Sequence, residues 1–155
     1  MTETRTEAVR VLLRRLHPGA RLPRRQSRGA SGWDLHACLD ADLTLAPGRR
    51  TAVPTGWAVA VPAGYELQIR PRSGLSWRHG VTVVNAPGTI DEDYRGEVRI
   101  LLVNLGREPF GIRNGDRVAQ MVLAAVPRGE LAEVPELPET GRGEGGFGHT
   151  GLGED

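Results

Sequence analysis

Cysteine occurs once in this chain of 155 residues, at Cys38, which excludes an intrachain disulfide and any thiolate cluster for zinc or iron–sulfur. A reducing compartment is the expectation. Lysine is absent: all 20 basic residues are arginine, balanced by 19 acids to a formal charge of +1. An arginine-only habit follows equally from a GC-rich genome, so the arginines between positions 10 and 28 do not by themselves mark a nucleic-acid surface. No apolar run has the length of a signal core or a membrane span, and residues 1–7 are polar and charged. A soluble, cytoplasmic protein with neither nucleic acid nor membrane as partner is expected. The four histidines, His17, His36, His79 and His149, show no paired metal spacing. Aromatic residues make up only 5%, and a helical period of 3.6 is hard to find anywhere.

What is abundant is punctuation. The chain has 21 glycines and 11 prolines, spread along its length in turn signals every eight to twelve residues. That spacing predicts one all-β domain, a sandwich, barrel or jelly roll. Strands are expected over 9–16, 33–37, 43–45, 57–61, 65–70, 98–105, 110–112 and 117–126, with breaks at 53–56, 61–64 and 113–116. One short helix is expected, capped by Ser73 and ended by Gly80. Beyond Pro127 a proline- and acid-bearing connection leads into a glycine-rich tail that should be disordered in isolation. The expected division is a β domain over 1–137 and a flexible arm over 138–155.

The stretch NAPGTIDEDYRG, residues 85–96, lies between two strand-like runs, 81–84 and 98–103, and predicts a β-hairpin turning at Pro87 and Gly88. In an extended segment Asp91 and Asp93 would share one face, with Ile90 and Tyr94 on the other. Two carboxylates beside an aromatic ring suit catalysis; an acidic, solvated loop tip is the other reading. Ser73 and Gly74 beside Arg72 offer a hydroxyl and backbone N–H groups to an anion, or form an ordinary helix start. Asp34 is a turn acid or holds a metal-bound water, and Gln120 faces solvent or a ligand. In the tail, Gly143, Gly145 and Gly148 fit a dinucleotide fingerprint, but neither that fold nor a phosphate loop is expected with no helix following. Unencumbered N–H groups there, with Arg142 and Thr150, can still wrap phosphate oxygens. Phe147 suits stacking on a base.

Five segments in this order, SGWDLHA (31–37), PRSGLSWRHGV (71–81), NAPGTIDEDYRGE (85–97), GDRVAQ (115–120) and RGEGGFGHTG (142–151), closely resemble the ordered motifs of the trimeric deoxyuridine triphosphatases, the dUTPases. The resemblance spans residues 9–151. Trp33 stands where the family usually has tyrosine, Trp77 falls at a variable place, and His149 replaces a usual serine. The resemblance implies a β jelly-roll homotrimer with active sites at subunit interfaces, hydrolysing dUTP to dUMP and pyrophosphate with Mg2+. It implies Asp91 as the base that activates water toward the α-phosphorus, and Asp34 as holder of magnesium-bound water. Arg72, Ser73, Gly74, Gln120 and Arg142 would bind the phosphates, with Gly148 and Thr150 beside them. Asn85, Gly88, Thr89, Ile90 and Arg99 would line the uracil site, Tyr94 would pack on the sugar, and Phe147 would cover the base as the arm closes. Two alternatives remain: a related dCTP deaminase, which carries a catalytic glutamate where this chain has Leu102, and a non-catalytic nucleotide-binding jelly roll.

Overall fold

The computed structural model describes residues 8–147. Every strand pairing is antiparallel. One sheet is formed by β1 (Leu12–Arg15), β4 (Arg50–Ala60), β8 (Glu97–Asn104) and β6 (Val81–Val83), in that order. A second holds β2 (Trp33–His36), β10 (Arg117–Ala125), β5 (Tyr65–Arg70) and β7 (Gly88–Ile90). A two-stranded ribbon joins β3 (Leu43–Leu45) to β9 (Phe110–Ile112). The all-β expectation holds, but as packed open sheets and not as a closed barrel.

The inner faces of both sheets and of the ribbon contribute to one core. Val53, Ile100 and Leu102 come from the first sheet, Leu35, Leu67 and Ala119 from the second, and Leu45 and Ile112 from the ribbon. Along β8 burial alternates strictly, with Val98, Ile100, Leu102 and Asn104 inward and the residues between them facing out, as a pleated strand with one solvated face requires. Cys38 lies in a small satellite cluster with Ala20 and Trp57. Burial pushes its thiol pKa up, with Glu97 and Asp40 adding to the effect.

Several expected breaks are resolved differently. β4 runs unbroken through Pro54 and Gly56, where a turn was expected. Between Pro54 and Ala58 its register against β8 shifts, so four residues of β4 span two of β8. A bulge absorbs the surplus: Gly56 takes φ +72°, and its N–H donates to Glu97 Oε1 at 2.9 Å. The helix α1 spans Ser73–His79, but Arg72 is its N-cap and no side chain caps it. The Gly80 C-cap is as expected, left-handed at φ +67°, with its N–H on the carbonyls of Leu75 and Ser76. The described residues contain no helix long and apolar enough to cross a membrane.

Candidate active site

The predicted hairpin exists in outline, since β6 and β8 pair with Val83 opposite Leu102. Its connection is not a tight turn at Pro87 and Gly88. The chain leaves β6, crosses to the other sheet as β7, and pairs there with β5, Gly88 opposite Ile69 and Ile90 opposite Leu67. β7 is an edge strand, and an edge strand leaves alternate N–H and C=O groups unpaired along its outer side. A cavity of about 220 Å³ lies beside it, lined by Asn85, Gly88, Thr89, Ile90, Asp91, Tyr94 and Arg99, all of them expected, together with Glu97, Leu101 and neighbouring apolar residues.

Asp91 and Asp93 do not share a face. Residues 91–94 form a turn closed by Tyr94 N–H to Asp91 C=O at 3.2 Å, so the extended alternation fails and Asp93 does not line the cavity. The acid between them braces the turn. Glu92 accepts from the Gly64 N–H at 2.6 Å and from Arg128 Nη2 at 3.3 Å, and its carbonyl accepts from Arg95 Nη1 at 2.6 Å. The Asp91 carboxylate has no hydrogen-bond partner among the described residues and stands exposed at the cavity wall. Three consecutive acids thus divide into one free carboxylate, one tether and one outside the cavity. The Tyr94 hydroxyl donates to the Glu97 carbonyl at 2.9 Å, and its ring lies so close to Gly96 that a Cβ there would collide with it. Gly88 is likewise constrained, since a Cβ would sit 3.1 Å from Asn85 Nδ2.

A second group of expected residues gathers where β2, β10 and the start of α1 meet, and none of it lines that cavity. Gln120 lies opposite Asp34 across the β10–β2 ladder, donates to the Pro71 carbonyl at 3.1 Å, and approaches Gly32 so closely that a Cβ there would be 2.8 Å from its Oε1. Asp34 is paired with Arg117 Nη1 at 3.1 Å and lies 3.8 Å from Arg72 Nε. Arg72 Nη1 also donates to the Arg117 carbonyl at 2.7 Å. Ser73 and Gly74 open α1, where backbone N–H groups lack intrahelical partners. His36 faces the same side. Burial lowers its pKa, reinforced by Arg21, Arg117 and Arg24 against an opposing contribution from Asp34. Its Nδ1 is buried without a hydrogen-bond partner among the described residues.

Arg142 and Phe147 lie apart from both groups; Arg142 Nε donates to the Gly145 carbonyl at 2.6 Å, and Phe147 is fully exposed at φ +51°. Gly148, Thr150 and His149 fall outside the described residues. Two neighbours were missed from the sequence. Glu97 reads locally as the polar start of a strand, and only the bulge of β4 shows why a carboxylate sits there. Arg117 reads as a turn-flanking surface residue. Leu102, where the deaminase family would carry its glutamate, is buried in the core at 1% exposure, and β8 presents Glu97, Arg99 and Leu101 to the cavity.

A cavity edged by a free β-strand, and apart from it a cluster of arginines with a hydroxyl and backbone N–H groups, are the recognition chemistry of a nucleotide-binding protein. The chain belongs to the dUTPase family, whose model matches residues 19–151. It is 55% identical over 146 residues to the deoxyuridine 5'-triphosphate nucleotidohydrolase of Syntrophotalea carbinolica, covering 94% of this chain and 99% of that one. The protein of the same name from Desulfotalea psychrophila is 59% identical over 131 residues, covering 84% of this chain and 87% of that one. A mutant Staphylococcus bacteriophage 80alpha dUTPase solved with dUpNHpp matches with a TM-score of 0.81 at 25% identity, covering 92% of this chain and 99% of that one.

Proposed function

We infer that this chain is a dUTP diphosphatase, hydrolysing dUTP to dUMP and pyrophosphate. Its near full-length identity with two named nucleotidohydrolases carries the reading. The cavity supports the choice of base. At about 220 Å³ it is below the roughly 300–1,000 Å³ of sites that enclose a whole drug-sized ligand, so it suits a nucleoside with its phosphates outside. The open edge of β7 and the Asn85 amide would meet the donor and acceptor pattern of uracil. Cytosine reverses part of that pattern and would leave polar groups buried without partners. Tyr94, tied to the Glu97 carbonyl, would crowd a ribose 2′-hydroxyl.

Asp91 is proposed as the general base, because it is the carboxylate on the cavity wall that no other group engages among the described residues. Arg72, Ser73, Gly74 and Gln120 are proposed as phosphate ligands, joined by Arg142, Gly148 and Thr150 when the arm closes with Phe147 over the base. The phosphate cluster and the nucleoside cavity share no lining residue, which supports a site completed by another subunit, and we propose a homotrimer of jelly rolls. Leu101, Val84 and Leu105 are exposed on or beside the β6–β8 pair, an apolar surface suited to a second copy. A cytoplasmic location is proposed on the same footing.

Mg2+ is the proposed cofactor, and the residues fit it in one way. No group of three or more metal-binding side chains occurs among the described residues, and both Asp34 oxygens face guanidinium groups. Asp34 would therefore hold the ion through water, with triphosphate oxygens as its direct ligands, as befits a cation reluctant to dehydrate. When bound, magnesium neutralises charge developing on the phosphates. Release of pyrophosphate from dUTP, with no ammonia from dCTP, is the expected assay result; ammonia from dCTP would instead establish deamination.

A further inference from the structure

β10 holds two consecutive buried residues, Val118 at 2% and Ala119 at 0% exposure, where a regular strand would turn one of them outward. The cause is a register shift against β2. Gln120 lies opposite Asp34 and Ala119 opposite Leu35, but Arg117 lies opposite His36, so Val118 is the extra residue of a bulge. Continued without it, the ladder would set Val118 against His36 and turn Arg117 toward the core. The bulge instead brings Arg117 to the face that carries Asp34 and Gln120. There its Nη1 meets Asp34 Oδ2 at 3.1 Å, while its carbonyl accepts Arg72 Nη1 at 2.7 Å.

We propose that Arg117 is a positioning residue for the phosphate half of the site, holding Asp34 through its side chain and Arg72 through its backbone; this rests on the dUTP reading above. Without the Arg117 guanidinium, Asp34 keeps one ion-pair partner among the described residues, Arg72, at 3.8 Å. The freed carboxylate would draw the Arg72 head toward itself and away from the incoming phosphates. The Arg117 side chain acts through Asp34, so its loss should matter only while the Asp34 carboxylate is there to be held. The contact is single-pronged, so a lysine ammonium can replace it, unlike an arginine bound by two parallel hydrogen bonds.

The test uses the full chain, with binding of dUpNHpp and of deoxyuridine measured beside turnover of dUTP. R117A should weaken dUpNHpp binding and lower kcat/KM about tenfold, the scale of one charge-assisted hydrogen bond at a half-exposed site, and leave deoxyuridine binding within about twofold. R117K should recover to within about threefold of wild type, and D34N/R117A should be no worse than the weaker single variant. The proposal is overturned if R117A binds dUpNHpp normally, if the two substitutions multiply, or if deoxyuridine binding and melting temperature fall in step with activity. A wild-type protein that binds dUpNHpp but leaves dUTP intact would refute the hydrolase reading alone, because the binding comparison stands without turnover.

Discussion

Replacing Gly88 with alanine should separate recognition from folding. Gly88 is buried in β7 opposite Ile69, and its φ lies outside the left-handed region, so the backbone accepts an L side chain there. The new methyl would lie 3.4 Å from Ile69 Cβ and 3.1 Å from Asn85 Nδ2. Ile69 is 4% exposed in a central strand and cannot yield, whereas Asn85 is exposed on a loop and can. The methyl should therefore displace the Asn85 amide by a few tenths of an ångström at about 1 kcal/mol or less of stability. A base hydrogen bond lost in a desolvated site costs about 1–3 kcal/mol, so kcat/KM for dUTP should fall roughly 5- to 150-fold. Paired steady-state kinetics and thermal melts would measure both. Activity within twofold of wild type, at an unchanged melting temperature, would show that Asn85 takes no part in reading the base.

Asn104→Ala should destabilise the fold by about 2–4 kcal/mol in urea denaturation, at about 1 kcal/mol for each of three hydrogen bonds. Those bonds run from its fully buried side chain to the carbonyls of Leu45 and Glu108 and from the Gly106 N–H. A loss under about 1 kcal/mol would refute that account. His36 has a folded pKa below its ordinary 6.5, so the unfolded chain takes up its proton first as pH falls. Its contribution is present above 6.5 and is lost as pH drops through the folded pKa, so wild type should lose more stability than His36→Gln between about pH 7.5 and 5.5. Parallel losses would contradict this. Chains lacking residues 141–155 and Asp91→Asn chains, each inactive alone, should regain activity in about a quarter of sites when refolded together. If the proposed trimer forms from both chains without recovery, each arm serves its own subunit.

Local signals carried much of the fold. β5 and β9 follow from apolar alternation between turns, and Gly80 ends α1 because only a left-handed residue closes that helix so cheaply. The errors arise where long-range pairing overrides local chemistry. Pro54 and Gly56 read as a turn, yet pairing with β8 and the carboxylate of its first residue, Glu97, hold them in a bulged strand. Gly88 reads as a hairpin turn because its pairing partner, Ile69, is remote in sequence. In the same way Asp91 and Asp93 read as a pair until the 91–94 turn separates them. The cavity residues Asn85, Thr89, Asp91 and Tyr94 were legible through the family motif, whereas Arg117 depends on a bulge that leaves no local mark beyond two adjacent apolar residues.

A single turnover of dUTP in 18O-labelled water tests the central claim most directly, that a water activated by Asp91 attacks the α-phosphorus. The account predicts one labelled oxygen in dUMP and none in pyrophosphate. Asp91→Asn should bind dUpNHpp within about tenfold of wild type and give no labelled product, since amide replaces carboxylate at nearly the same size. Label in pyrophosphate, or labelled dUMP formed by Asp91→Asn at the wild-type rate, would contradict it.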